Sequence, residues 1–132
     1  MRHPKAESWE RRLKAAFDRV NHYLEETYGH LYPLHPARPP HGSTSSPESD
    51  GLFDVGGVFT AGFGSAHGPG YLVEIRFGTL AQVPAEVREQ IEEEAVARLR
   101  EELPRAFPGS TLSIERDGKA YKIVGDLALG KA

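Results

Sequence analysis

Between Ser8 and Tyr28, the residues Trp9, Leu13, Ala16, Phe17, Val20, Leu24 and Tyr28 recur at spacings of three and four, which sets them along one stripe of a helix. A helix with one apolar stripe and a charged remainder must lay that stripe on another layer. Ser8 is placed to cap it, although Arg11 stands where the acid of a capping box belongs, and Gly29 supplies a stop. Further along, Val87, Ile91, Ala95, Leu99 and Leu103 repeat every four residues. Pro84 and Glu86 fall in the expected first turn of this second helix, and Pro104 and Pro108-Gly109 end it.

The intervening and following segments change period. From Gly51 to Phe63, the residues Phe53, Val55, Phe59, Ala61 and Phe63 alternate with Asp54, Gly56, Thr60 and Gly62, the pattern of a half-buried strand. A glycine-rich turn over Gly64 to Gly70 leads to a second strand, where Tyr71, Val73, Ile75 and Phe77 alternate with Leu72, Glu74 and Arg76. Two further strands are expected at Thr111 to Arg116 and Ala120 to Leu127. Asp117-Gly118 lies between them as the centre of a type I′ hairpin turn. The order predicts an α+β two-layer sandwich, α-β-β-α-β-β, with two helices on one face of a four-stranded, mainly antiparallel sheet. At 132 residues, one domain is expected: a first helix over 8–28, a Pro/His/Ser loop over 29–50 and a ββαββ portion over 51–129.

The loop is the irregular part. Pro33, Pro36, Pro39, Pro40 and Pro47 bias it toward extended conformations, and loops of this length tend to be binding loops, lids or connectors. Tyr32 and Leu34 are placed to pack back on the first helix, whereas His41 to Pro47 carries nothing apolar to hold it.

Bulk properties remove several functions. A net charge of -3 gives no general attraction to a polyanion, and the expected outer sheet face (Asp54, Thr60, Glu74, Arg76, Ser113, Glu115, Lys122, Asp126) lacks aromatics for base stacking, so nucleic acid is not an expected partner. The chain has no cysteine, hence no disulfide or thiolate chemistry. Neither a signal-peptide core nor a membrane span is legible, which makes the cytoplasm the expected location and a membrane an unexpected partner. The glutamates of Glu89 to Leu103 read as a solvated helix face.

The candidate ligand-binding residues are His35, Arg38, His41, His67 and Arg76, which the loop, the glycine-rich tip and the outer sheet face bring into play. Gly62 to Gly70 differs from phosphate-cradling loops because a strand rather than a helix follows it. A weaker alternative is a metal site built from His35, His41, His67 and Asp50, with Asp54 also in range; no cofactor is expected. Ser43 to Ser46 with His41 and Asp50 supply only the residue types of a hydrolase. The expectation is a small binding or interaction domain that engages a small anionic ligand or a protein partner through its loops or open sheet face. The alternatives are a metal-assisted or hydrolytic enzyme using the loop histidines and a self-associating module.

Overall fold

The computed structural model describes residues 4–62 and 68–125. The expected order is present: α1 (Pro4–Tyr28), β1 (Phe53–Thr60), β2 (Gly70–Phe77), α2 (Ala85–Ala106), β3 (Ser113–Asp117) and β4 (Ala120–Val124). The fold is an α+β two-layer sandwich whose antiparallel sheet runs β1-β2-β4-β3. The last strand, expected to run to Leu127, ends at Val124 because Gly125 turns out of it with a φ of 124°; His67, Phe63 and the residues from Asp126 on lie outside the described residues.

The helix stripes and the inward strand residues form one core. Leu13, Phe17, Val20 and Leu24 of α1 meet Ile91, Val96, Leu99 and Leu103 of α2 over Val55, Tyr71, Ile75, Ile114 and Ile123 of the sheet. Trp9 stacks on Tyr71 at 5.1 Å between ring centroids and touches Phe107 at 4.8 Å, closing one end. Burying side chains of this size stabilises by about 1.5–3 kcal/mol each before conformational entropy is subtracted.

Polar contacts tie the helices together. Glu102, buried in the last turns of α2, accepts a 2.7 Å bond from Arg19 Nε on α1. Glu94 accepts the hydroxyls of Tyr23 and Tyr28. Glu94 is therefore part of the helix interface rather than of a solvated face, because the tyrosines at the edge of the α1 stripe reach across to it.

Helix ends differ from expectation in instructive ways. α1 starts at Pro4 instead of Ser8, since a proline in the first turn gives up an N–H that has no helical acceptor there. Pro84 stands just before α2, and Pro104 is accommodated inside its last turn; the helix ends only at Ala106, with Phe107 N–H bonded to Leu103 O. In the β3–β4 hairpin, Asp117 pairs with Ala120, so Gly118 and Lys119 are the central residues. Only Gly118 has a positive φ (66°), the signature of a type II′ turn with glycine first rather than the type I′ expected.

The sheet is two hairpins joined by a short seam. β1 and β2 pair over their whole length, from Phe53↔Phe77 to Thr60↔Gly70, whereas β2 meets β4 only at Tyr71↔Ile123 and Leu72↔Lys122. Lys122 is 1% exposed, not on a solvated face. Its ammonium group donates to Gly68 O at 2.7 Å and pairs with Asp117 at 3.0 Å, and its methylenes pack where a Cβ on Gly70 would stand. On that face Arg76 pairs across the strands with Asp54 at 3.5 Å and along its own strand with Glu74 at 2.9 Å.

The long loop is ordered by its backbone and by buried charge. His35 N–H bonds Gly78 O, Gly78 N–H bonds Leu52 O, and Gly51 N–H bonds Pro39 O. Tyr32 and Leu34 pack against the core. The second half, which has no apolar anchor, is held by a short 3-10 turn (Pro47–Ser49) bonded to Asn21 and by the buried Asp50 carboxylate.

Candidate functional site

β1 is a terminal strand of the sheet, and α1 runs along it. Phe53 N–H points away from β2, to Glu25 Oε2 at 2.8 Å. The two-residue period of an antiparallel strand then puts the N–H and C=O groups of Val55, Gly57 and Phe59 on that same outer edge. No strand among the described residues pairs with it.

Between this edge and α1 lies a groove of about 420 Å³. Leu13 and Phe17 line it from the helix, Val55 and Phe59 from the strand, and Tyr71 from β2. Gly57 is required here, since a Cβ would come within 2.9 Å of the Phe17 ring; at Gly56 a Cβ would meet nothing within 4 Å. Adjacent glycines weaken a strand and leave its backbone open to close approach by another chain. At the far end Phe59 is 55% exposed; its neighbour Val58, 48% exposed, turns to the other face of the sheet. Phe59 lies on the inward, helix-facing side as its place in the alternation predicts, but at this end of the groove it is only partly covered and reaches Tyr71 edge-on at 5.4 Å.

The rim is acidic. Glu10, Asp18, Glu48 and Asp54 line the groove against one cation, Lys14. Lys14 Nζ lies 3.0 Å from Asp18 and 3.3 Å from Glu48. Partial burial disfavours its charge, but these two carboxylates outweigh that and raise its pKa.

The residues expected to bind a ligand fall in different places. His35 Nδ1 accepts Ala37 N–H at 2.9 Å within its own turn. Arg38 donates to three carbonyls, those of Gly51 (2.9 Å), Glu48 (3.1 Å) and Asp50 (2.8 Å), so its guanidinium staples the loop. Arg76 belongs to the charge pairs on the outer face. His41 and Asp50 do come together, with Nδ1 3.4 Å from Oδ1. Burial alone would raise the Asp50 pKa, yet the Thr44 N–H and hydroxyl, the Gly42 N–H and His41 hold it below the usual carboxylate range. His41 also lines an open hollow of about 640 Å³ with Glu26, His30 and Leu31.

The hydroxyls of the loop serve the loop. Ser43 donates to Pro40 O, and Thr44 Oγ1 bonds Asp50 and Ser46 O. No group of three metal-ligating side chains occurs among the described residues.

Sequence reasoning passed over the groove. Its signal is Gly56-Gly57 in the middle of an otherwise alternating strand, where consecutive glycines mark close backbone approach. It also passed over Glu25, whose carboxylate is buried against Gly51 and accepts the N–H groups of Leu52 and Phe53.

None of the helices among the described residues is long and apolar enough to cross a membrane. No solved structure matches the chain. It is similar to a protein of Borreliella burgdorferi (strain ATCC 35210) described as "Uncharacterized protein", with 41% identity over 106 residues, 80% of this chain and 83% of the other. A family described as "Uncharacterised protein" matches residues 4–125, and the chain belongs to that family.

Proposed function

We propose that this is a cytoplasmic protein-interaction domain that takes an extended segment of a partner protein alongside β1, as an added strand lying in the groove beneath α1. The observation that carries the reading is the side-by-side placement of an open strand edge, two glycines and the exposed Phe59. Strand addition draws affinity from main-chain hydrogen bonds and specificity from pockets for alternate side chains. Leu13, Phe17 and Val55 offer an apolar floor for one set of those side chains. The carboxylate-rich rim selects basic residues in the other set, through complementary charge.

This reading predicts the outcome of a peptide selection. Random peptides displayed on phage and panned on the intact chain should converge on apolar residues alternating with lysine or arginine. Phe59→Asp places a charge on an exposed side chain, leaves the fold in place and should weaken the selected peptides by at least about tenfold, or 1.4 kcal/mol. Convergence on acidic peptides, or binding indifferent to Phe59→Asp, would contradict the assignment. A concentration-dependent dimer abolished by the same substitution would instead assign the edge to a second copy of the chain.

A further inference from the structure

The cation on the rim of the groove is itself seated like a ligand. Lys14 Nζ lies 3.0 Å and 3.2 Å from the two carboxylate oxygens of Asp18, one helical turn away, and 3.3 Å from Glu48 Oε2, which reaches it from the loop. The first pair is local, but Glu48 is 34 residues away along the chain. Burial disfavours the charge on Lys14; the two carboxylates outweigh it and raise the pKa, so the seat favours an ammonium.

The seat does not depend on its occupant. Asp18 is carried by the backbone of α1, and Glu48 by the Pro47–Ser49 turn, which lies against both α1 and β1. That turn is held without Lys14: Asn21 Nδ2 donates to Pro47 O at 2.8 Å, and Arg38 donates to Glu48 O at 3.1 Å. The lysine, by contrast, is half exposed on a flexible stem, and ion pairs exposed to this degree are weak. Its ammonium can leave for water while both carboxylates stay in place. Asp18 and Glu48 also line the groove beside the open edge of β1, with Asp54, Val55 and Gly57. Asp54 already has Arg76 at 3.5 Å. Asp18 and Glu48 are therefore the pair that suits an incoming basic side chain, and Lys14 already stands on them.

We propose that Lys14 is an internal competitor for the groove: its ammonium stands between Asp18 and Glu48 where a lysine or arginine of the docked segment binds, and it swings out to water when that segment takes the carboxylates. Such control rests on the strand-addition reading above. A neutral segment leaves Lys14 where it is, whereas a basic one must exchange with it, so Lys14 holds charge-driven docking weak and reversible. Neutralising Lys14 strengthens the docking of basic segments alone.

The test uses two capped peptides as long as the eight-residue β1, one alternating valine with lysine and one alternating valine with glutamine. Each is titrated by calorimetry into the full chain and into Lys14→Met, Glu48→Gln and Arg12→Met. Lys14 is exposed and methionine is as good a helix former, so Lys14→Met keeps the fold, which circular dichroism verifies. It should bind the lysine peptide about threefold or more tightly, the gain that weak exposed ion pairs supply, and the glutamine peptide as the unaltered chain does. Glu48→Gln should weaken the lysine peptide and leave the glutamine peptide unchanged. Arg12→Met removes a positive charge from the same helix outside the groove and should leave both peptides nearly unchanged. A lysine peptide bound no more tightly by Lys14→Met, an equal gain for both peptides, or the same gain from Arg12→Met would overturn the proposal and leave the docking reading in place. The equal gain would make Lys14 a steric cover, and the Arg12→Met gain would assign the effect to net charge. Failure of the lysine peptide to bind any of these chains would instead remove the docking reading, and the competitor with it.

Discussion

Glu25→Gln is expected to lower the unfolding free energy by about 2–4 kcal/mol, the scale of losing charged hydrogen bonds to buried donors. Glu25 lies in α1, yet both of its carboxylate oxygens serve the far side of the long loop: Oε1 accepts Leu52 N–H at 3.0 Å and Oε2 accepts Phe53 N–H at 2.8 Å. These N–H groups sit at the entry to β1, where Leu52 and Phe53 are fully buried and no water replaces the acceptor. Glutamine keeps one oxygen and turns an NH2 group toward the other donor, so one buried N–H is left without an acceptor. Gly51→Ala attacks the same junction from the opposite side. Gly51 has φ 69°, and its Cβ would stand 2.3 Å from Glu25 Oε2, so the substitution combines backbone strain with displacement of the carboxylate. Urea unfolding should show both variants with lower midpoints at unchanged slope. A loss below about 0.5 kcal/mol, the range of ordinary surface substitutions, would mean that this carboxylate is not what fixes the start of β1.

Arg38→Ala should cost about 2–3 kcal/mol and loosen the loop from Pro39 to Gly51. The three carbonyls that share the guanidinium belong to Glu48, Asp50 and Gly51, successive parts of the stretch that begins with the short 3-10 turn. The fit is close enough that a Cβ on Gly78 would come 2.4 Å from Arg38 Nε. Arg38→Lys should recover less than half of the loss, because an ammonium is a point donor and cannot span three acceptors as a planar fork does. Amide exchange is the direct readout: Gly51 N–H, bonded to Pro39 O, should exchange faster in Arg38→Ala while α2 amides keep their protection. Uniform acceleration across the whole chain would instead assign Arg38 to global stability.

These residues show where sequence reading reaches and where it stops. The four-residue repeat from Val87 to Leu103 and the alternation from Tyr71 to Phe77 are local periodicities, and each marks an element of the kind expected. Glu25 and Lys122 carry charges that look solvated on any local pattern, and both are buried because partners distant in sequence satisfy them. The order of the loop was illegible for the same reason: its second half is held by Asp50 and Arg38 bonding to backbone, which leaves no apolar signature. His22 and Glu26 read as any surface pair one helical turn apart until His41 arrives from the loop. The groove depends on β1 being a terminal strand, a property of the sheet order β1-β2-β4-β3 that no segment of the chain reveals by itself.

The outer edge of β1 is the proposed docking strand. A capped peptide as long as the eight-residue strand, alternating valine with lysine, can be titrated into the 15N-labelled chain, with a valine–glutamate peptide as the control. The amide signals of Val55, Gly57 and Phe59 are expected to shift saturably and their hydrogens to exchange more slowly with the lysine peptide, while the glutamate peptide leaves them unchanged. Shifts confined to Glu74, Arg76 and Glu115 on the outer sheet face, or none with either peptide, would contradict that placement.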